Sequence, residues 1–422
     1  MYEKLFNRNF TMVVIGQIIS LFGNVILRFA LSLYVLDITG SATIFGTILA
    51  VSMIPTIILS PFGGMMADRI NRRNIMVALD FLTAVLIFIF SIFLGDNTAV
   101  VAITIMLILL SLIQAFYQPS VQSSVPLLQK ENHYVQANAV VNQVNALANL
   151  LGPILGGFLY GFFGAYPIII ISAICFFLSA ILEIFIHIPF TPLKKQGNLL
   201  GIVKNDFKVS MRFIGKEKPF ILKSLLYTGG MTFFVVAIAT VGMPYLIRIT
   251  LGLSAELYGV TEAFMGFAGI LGGVGAGILA NKFKAHNLYI LISMIGLLII
   301  PIGIAFLFDV PNMVSYITIT ITFSIIQFVV CIFTIFVMSS IQQKTPSSLI
   351  GKVMSYVTTV TMCSQPLGQA IYGVLFDWFS SSLYLLLLIT AIIIIFLGLL
   401  SKKTFIPVSY THLRAHETGR NL

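Results

Sequence analysis

Charged residues are scarce in this chain. Only 9% of its 422 residues are Asp, Glu, Lys or Arg, against about 25% in an ordinary soluble domain. Hydrophobic residues make up 58%, and the mean hydropathy is +1.03. A soluble fold has too little interior to bury so much apolar surface. The composition therefore excludes a soluble domain and indicates a protein that crosses a bilayer many times.

Cysteine is rare, and nucleotide-binding sequences are missing. The three cysteines, Cys175, Cys331 and Cys363, lie in apolar runs, which argues against a disulfide framework and against a metal site. No GxxxxGK[ST] sequence is present, and no polar segment is long enough for a soluble ATP-binding domain. We therefore expect a protein that is not an enzyme and that has no metal ion and no cofactor.

Apolar runs of about 20 residues, the length a helix needs to cross the hydrocarbon core, follow one another along the chain. The short connections between them leave room for roughly twelve spans. The predicted ranges are 10–36, 43–67, 75–94, 98–124, 137–161, 165–188, 220–247, 256–280, 288–308, 314–338, 353–377 and 383–401.

The net charge of +10 comes from basic residues that are divided among alternate connections, which argues against a nucleic-acid-binding patch. The basic connections begin with Lys4 and Arg8 and end with Lys402 and Lys403. The other connections have Arg248 as their clear cation and contain the acids Asp37, Asp96, Glu256, Asp309 and Asp377. Because basic loops stay in the cytoplasm, we predict a multi-pass protein of the bacterial cytoplasmic membrane with both termini cytoplasmic.

The longest polar interruption, residues 189–219, divides the chain into two sets of six spans. We predict an N-terminal bundle over 1–188, a basic cytoplasmic linker over 189–219 and a C-terminal bundle over 220–403. Similar residues recur 213 positions apart in the two halves, as in the pairs Gly64 and Gly277, and Pro153 and Pro366. Such repeated halves place a binding site between them.

The residues after the last span, 404–422, form a polar tail. Its final part, SYTHLRAHETGRNL over 409–422, has no helical or strand period. This string resembles translated read-through of a sequencing adapter, so we exclude it from the interpretation of the fold and derive no metal site from its histidines.

The connection after the second span reads GMMADRINRRN over residues 64–74. It resembles the signature of the major facilitator superfamily, although Asn71 stands where that family usually has glycine. Asparagine tolerates the left-handed conformation better than most residues. The resemblance implies a cytoplasmic latch that holds one transport state, and the alternative is a set of ordinary loop charges. The latch residues would be Gly64, Asp68, Arg69, Arg72 and Arg73, joined by Asp80 at the start of the third span.

The fifth span contains a GPxxGG string formed by Gly152, Pro153, Gly156 and Gly157. Small residues let helices approach closely, and a proline is tolerated in a span because neighbouring groups compensate. The string resembles the motif of the drug–proton antiporters of the same superfamily, which implies export. A purely packing role is the alternative.

Polar side chains recur on single faces of the fourth, fifth and eleventh spans. Exposure of so many amides to lipid would be costly, so these faces must look into protein or water. They either join helices or line a cavity, and cavity lining is the favoured interpretation. The candidates are Gln114, Gln118, Asn138, Asn142, Asn145, Asn149, Thr358, Gln365 and Gln369.

Charges inside spans are functional candidates by default. Arg28 in the first span and Glu262 in the eighth have similar predicted depths, so we predict a coupling or gating pair, with a static salt bridge as the alternative. Glu183, near the end of the sixth span, is expected to reach the membrane interface.

The resemblance covers residues 1–403 and extends to the macrolide-efflux and drug–proton antiporter branch, as in GQIISLFGNVIL of the first span. It implies an all-α polytopic protein with twelve transmembrane helices in two pseudo-symmetric six-helix bundles. It further implies a monomer that exports macrolide-like drugs or siderophore-like compounds by alternating access, using the proton gradient. Leu110 replaces an arginine that many of these antiporters use for coupling. The alternatives are a lipid or metabolite transporter of the same fold and a non-transporting receptor or scaffold.

Overall fold

The computed structural model describes residues 5–92, 98–189, 219–280, 287–346 and 349–405. Within these ranges every regular element is helical, and twelve helices have 20 residues or more. They are α1 (Arg8–Thr39), α2 (Ala42–Arg69), α3 (Arg72–Ile92), α4 (Ala99–Leu128), α5 (Tyr134–Phe163), α6 (Ala165–Ile184), α7 (Phe220–Thr250), α8 (Ala255–Leu279), α9 (Leu288–Leu307), α10 (Asn312–Gln343), α11 (Ile350–Trp378) and α12 (Leu383–Phe405).

Eleven of these helices in the described ranges are both long and apolar enough to cross a membrane. The remaining one, α11, has 29 residues and a length of about 43 Å, which also suffices to span the hydrocarbon core. Its lower hydropathy reflects polar residues such as Thr358, Gln365 and Gln369. The predicted twelve-helix fold is confirmed. The boundaries differ by a few residues, as in α1, which runs from Arg8 to Thr39 instead of 10–36.

The turn between α1 and α2 shows how local sequence sets the helix ends. Gly40 ends α1 with a φ of 60°, a left-handed conformation that favours glycine, and its N–H donates to the Leu36 carbonyl. The next residue, Ser41, begins α2, because its hydroxyl accepts the N–H of Ile44. Two residues therefore reverse the chain, and α1 and α2 lie antiparallel.

The helices form two groups with the same internal packing. In the N-terminal group (α1–α6), α1 packs on α5, α2 on α4, and α3 on both α4 and α6. In the C-terminal group (α7–α12), α7 packs on α11, α8 on α10, and α9 on both α10 and α12. Each contact therefore recurs six helices later. The helix starts at residues 42 and 255, and at 99 and 312, differ by 213, as the sequence repeat predicted.

The two groups meet through α2 with α11, α5 with α8, and α1 with α7. We call the end of the molecule where α1 begins and α2 turns into α3 the basic end, and the opposite end the Asp37 end. Close backbone contacts between the groups lie towards the Asp37 end. A Cβ atom on Gly46 would stand 2.4 Å from the Gln369 carbonyl oxygen, and one on Gly373 would stand 2.6 Å from the Ala42 carbonyl oxygen. Glycine is therefore required at both positions.

The helix α7 departs from regular α-helical winding. Its segments Thr232–Val236, Ile238–Gly242 and Tyr245–Thr250 form π-helical turns, which are rare and occur frequently at functional sites. Two polar residues in these turns, Thr240 and Arg248, make contacts described below.

Two sequence predictions lie wholly or almost wholly outside the described residues. The linker predicted over 189–219 is described only at its two edges, and the terminal string over 409–422 is not described. The bundle boundaries at 188 and 220 therefore remain predictions.

Candidate functional site

An ion pair joins the two groups at the Asp37 end. The Arg248 guanidinium of α7 donates from Nε to Asp37 Oδ1 at 3.1 Å and from Nη2 to Asp37 Oδ2 at 2.6 Å. Such bidentate pairing is strong and fixes the relative orientation of the partners. The Tyr160 hydroxyl of α5 also donates to Asp37 Oδ2, at 2.9 Å. Three helices from two groups are therefore held by one carboxylate.

A second carboxylate closes the same end between α2 and α11. Asp377 accepts the backbone N–H groups of Ala42 and Thr43, each at 2.9 Å, and the Ser41 hydroxyl at 2.6 Å. A negative charge at a helix N-terminus is favourable because the first N–H groups have no partner within the helix. Asp377 thus caps α2 from the opposite group.

The GPxxGG residues pack α5 against α1 and α8. A Cβ atom on Gly152 would meet Val25 of α1 at 2.4 Å, and one on Gly156 would meet Phe29 of α1 at 2.8 Å. On Gly157 it would stand 2.7 Å from the Gly259 Cα of α8. The motif therefore allows close helix approach at these three positions, including one contact between the groups.

A cavity of about 930 Å³ lies between α5 of the N-terminal group and α7, α8 and α10 of the C-terminal group. Most of its wall is apolar, with Leu147, Met265, Phe323 and Val330 among the lining residues. Polar groups are few, as in most small-molecule sites. They come from Gln143, Asn149, Thr240, Glu262 and Gln327.

The structure does not bring Arg28 and Glu262 together. Arg28 donates from Nε to Asn24 Oδ1 at 3.1 Å and from Nη2 to Ser111 Oγ at 2.8 Å, all within the N-terminal group. Glu262 lies in the wall of the large cavity, with the Tyr258 hydroxyl within hydrogen-bonding reach. The predicted pair is therefore absent from this conformation.

The polar side chains predicted on single faces of the fourth, fifth and eleventh spans have both of the roles considered above: some line a cavity and others join helices. Asn149 lines the large cavity, and Asn138, Asn142 and Thr358 are exposed. Three other amides join helices in hydrogen bonds of 3.1–3.3 Å: Gln114 to Asn24, Gln118 to Asn145, and Gln369 to Thr240. Gln365 is half-buried on α11. Asn149 therefore lies in the wall of the large cavity, while Gln114, Gln118, Asn145 and Gln369 make hydrogen bonds between helices.

The predicted latch residues are only partly brought together. Arg72 Nε donates to Ser123 Oγ of α4 at 2.9 Å, and Arg73 donates to the Ile184 carbonyl of α6. These bonds tie the turn to its own group. A Cβ atom on Gly64 would have no neighbour within 4 Å, and Arg69 is exposed. The side chain of Asp68 lies outside the described residues, so the latch remains a prediction.

Asn71, which stands where the family usually has glycine, was expected to adopt the left-handed conformation, but it does not. Among the described residues, Asp309 is the one non-glycine with positive φ, so Asn71 does not use the left-handed conformation. Its Oδ1 instead accepts the N–H of Arg73 at 3.0 Å. Asparagine stabilises the first turn of α3 through this side-chain cap.

Asp80 and Glu183 both lie in the core of the N-terminal group, which corrects the expectation for Glu183. Asp80 of α3 is 1% exposed and lies beside Ser179 of α6, and its part in the latch stays a prediction. Glu183 is 0% exposed and does not reach the membrane interface. It accepts the Tyr117 hydroxyl of α4 at 2.8 Å.

Sequence reasoning missed the Asp37–Arg248 pair and the Asp377 cap because it treated these acids as loop residues. One signal was available. Arg248 is the clear cation among the acidic connections, and α1 and α7 are equivalent helices of the two halves. The contacts of Glu183 had no such signal, since they depend on how α3, α4 and α6 pack.

Comparison with known proteins agrees with this architecture. YkuC, an uncharacterized MFS-type transporter of Bacillus subtilis, is 27% identical over 313 residues, which cover 70% of this chain and 71% of YkuC. Macrolide efflux protein A of Streptococcus pyogenes is 22% identical over 282 residues, which cover 64% of this chain and 66% of that protein. A solved bacterial homologue of the iron transporter ferroportin, in an inward-facing state, has a TM-score of 0.71 at 14% identity, covering 94% of this chain and 98% of its own.

The family model described as Major Facilitator Superfamily matches residues 13–369, which is most of the chain. The proteins of this family and the similar solved structures are transporters and not enzymes. The resemblance inferred from the turn after the second span is therefore confirmed. This chain is a membrane transporter that belongs to the Major Facilitator Superfamily.

Proposed function

We propose that this chain exports amphiphilic small molecules from the bacterial cytoplasm by alternating access, coupled to the proton gradient. The observation that carries the proposal is the 930 Å³ cavity between two groups that are joined at the Asp37 end. A site between two repeated halves can be exposed to either side by rocking one half against the other. The ion pair and the α2 cap would have to open for release at the Asp37 end.

The distribution of charge supports a cytoplasmic basic end. Among the described connections, the turn that holds Arg72 and Arg73 and the connection that holds Lys130 lie at that end, whereas Asp37 and Asp377 lie at the other. By the positive-inside rule both termini are then cytoplasmic. The exposed polar faces of α5 and α11, with Asn138, Asn142 and Thr358, would open towards the cytoplasm in this conformation.

The chemistry of the cavity supports an amphiphilic substrate. Apolar and methionine-containing walls adapt to varied hydrophobic shapes, and Met265 contributes to them. The carboxylate of Glu262 provides a partner for a basic or hydroxyl group of the compound. Macrolide-like and siderophore-like compounds combine these features, and similarity to a macrolide efflux protein supports export. We further propose a monomer made of two bundles, over 1–188 and 220–403.

Accumulation of a panel of radiolabelled or fluorescent amphiphiles tests the proposal. Cells that produce the chain should retain less of at least one compound than cells of the same strain that lack it, and Asp68→Asn, which neutralises the predicted latch carboxylate, should reduce the difference. A protonophore should remove the difference. Equal accumulation across the panel would contradict drug export and would leave a lipid or metabolite transporter, or a receptor on the same fold, as the remaining interpretations.

A further inference from the structure

Two carboxyl groups are buried side by side in the N-terminal group. Asp80 of α3 and Glu183 of α6 are 1% and 0% exposed. Tyr117 of α4 connects them, because its hydroxyl donates to Glu183 and its side chain lines the same small cavity as Asp80. One oxygen of each, Asp80 Oδ2 and Glu183 Oε2, is buried without a hydrogen-bond partner. An ionised carboxylate in such a site would be strongly unfavourable unless its charge were paired.

Within the described residues, no cation pairs with either carboxyl group. The cation on the same face of the bundle, Arg73 of α3, donates to the Ile184 carbonyl, and Arg28 of α1 is bound to Asn24 and Ser111. The groups that face the pair are hydroxyls, from Ser20 of α1, Tyr117 of α4 and Ser179 of α6. Two like charges in this environment are unfavourable, so at least one carboxyl group holds a proton.

The hydrogen-bonding groups around the two carboxyl groups differ. The Tyr117 hydroxyl donates to Glu183 Oε1 at 2.8 Å, which suits an ionised acceptor. Asp80 lies beside Ser179, whose hydroxyl donates to the Gly16 carbonyl at 3.1 Å. The arrangement fits one proton and one negative charge shared by the pair.

The pair lies towards the basic end of the N-terminal group. Glu183 lies in the last turn of α6, which ends at Ile184. The carbonyl end of a helix disfavours a nearby negative charge, so the uptake of a second proton by the pair is favoured there. The pair is thus poised between singly and doubly protonated forms.

A polar track leads from the pair towards the middle of the bundle. A cavity of about 10 Å³, close to the lower limit for a single water molecule, lies between α1, α3 and α4. Its polar lining comes from Ser20, Asn24, Asp80, Thr83, Gln114 and Tyr117. At the far side of this cavity, Asn24 accepts a hydrogen bond from Arg28. Phe29, which follows Arg28 in α1, stacks on Tyr258 of α8 at a ring-centroid distance of 5.2 Å. Tyr258 is within reach of Glu262 in the substrate cavity.

We infer that the Asp80–Glu183 pair is the site that binds and releases the coupling proton of this transporter. The inference rests on the proposed proton-coupled export and deepens it. The proposed step transfers a proton between solvent and a carboxyl oxygen of the pair, and it requires no other reactant. It also explains how coupling is achieved in a chain that has Leu110 where many related antiporters use an arginine and in which Arg28 and Glu262 do not meet.

Infrared spectroscopy of the purified full chain in lipid nanodiscs tests the site without a substrate. The C=O stretching band of protonated carboxyl groups is recorded from acidic to alkaline pH. The other carboxyl groups of the chain absorb in the same region, so the band of the pair is taken as the difference between the wild type and the Asp80→Asn/Glu183→Gln double variant. This difference band should change with pH, and each single variant should remove part of it. Glu131→Gln, which changes an exposed carboxyl group, should leave the difference band as it is. A difference band that does not change with pH, or its absence, would overturn the inference.

Transport measurements separate this site from the proposed function. With a compound that the accumulation screen identifies, the double variant should lose protonophore-sensitive export while keeping downhill flux at the wild-type order of magnitude. Protonophore-sensitive export in the folded double variant would overturn the proton site and leave the proposed function standing. A pair that titrates in a protein that moves none of the compounds would support the proton site and overturn the proposed export.

Discussion

Asp37 of α1 and Arg248 of α7 form a bidentate ion pair that connects equivalent helices of the two repeated halves, with a closest N–O distance of 2.6 Å. Their side chains are only 20% and 19% exposed, so the pair is partly shielded from water. Since transport by alternating access requires the two ends to open in turn, this pair stabilises one conformation at the expense of the other.

Neutralising the pair should shift that balance. Asp37→Asn is expected to weaken the closure of the Asp37 end by about 1–2 kcal/mol, which changes the ratio of the two conformations by about 5–30-fold. Cys331 lines the large cavity and reports on its exposure. With Cys175 and Cys363 replaced by serine, a thiol reagent added at the basic end should label Cys331 more slowly in Asp37→Asn.

A charge-swapped variant, Asp37→Arg with Arg248→Asp, provides the control, because it restores an ion pair in the same place. It should recover part of the wild-type labelling rate. Labelling that is as fast in Asp37→Asn as in the wild type would show that the pair does not control the conformation.

Gly157 should be sensitive to the smallest enlargement. A methyl group there would stand 2.7 Å from the Gly259 Cα, which is a backbone atom and cannot move away by a side-chain rotation. Gly157→Ala is expected to cost about 1–3 kcal/mol of stability in this conformation through overpacking, seen as a lower midpoint of thermal unfolding.

Gly273 of α8 gives a matched comparison, because a Cβ atom there has no neighbour within 4 Å. Gly273→Ala should be neutral or slightly stabilising, since alanine favours a helix over glycine by about 1 kcal/mol. Equal effects of the two substitutions would mean that the close approach of α5 and α8 is not tight.

Asp377 should stabilise the start of α2. Asp377→Ala removes three hydrogen bonds from the N-terminus of that helix, and loss of a helix cap costs about 0.5–2 kcal/mol. Thermal unfolding should therefore begin at a lower temperature in Asp377→Ala, with Asp377→Asn intermediate because its amide keeps one acceptor oxygen. An unfolding midpoint in Asp377→Ala that matches the wild type would refute the cap.

Glu262 should distinguish basic from neutral substrates. In Glu262→Gln the cavity keeps its shape but loses its carboxylate, and a hydrogen bond to a charged group contributes about 1.5–3 kcal/mol. The Kd for a basic amphiphile is expected to rise about tenfold or more, and that for a neutral amphiphile of similar size should stay within about twofold. Fluorescence titration of both compounds measures the difference, and equal weakening would exclude a charge-specific role.

The sequence by itself determined the helices, their order and the repeat of 213 residues. A helix that crosses a membrane satisfies its backbone hydrogen bonds within its own segment, so length and hydropathy are sufficient to locate it. The signature around Asp68 and Arg69 was likewise readable, because its residues are consecutive. Among the twelve helices of the described residues, α11 has a lower hydropathy than the other eleven, although the sequence still predicted it at 353–377. Its polar face has a structural reason in the Gln369–Thr240 contact.

The partners of the charged groups were decided by tertiary structure. Asp37 and Arg248 are 211 residues apart, and the pairing of Asp80 with Glu183 depends on the way α3 and α6 pack. Similar depth in the membrane suggested that Arg28 and Glu262 would meet, but depth leaves the direction of a side chain around its helix undetermined. That direction follows from glycine contacts such as Gly157 with Gly259, which set how closely two helices approach and which faces they share.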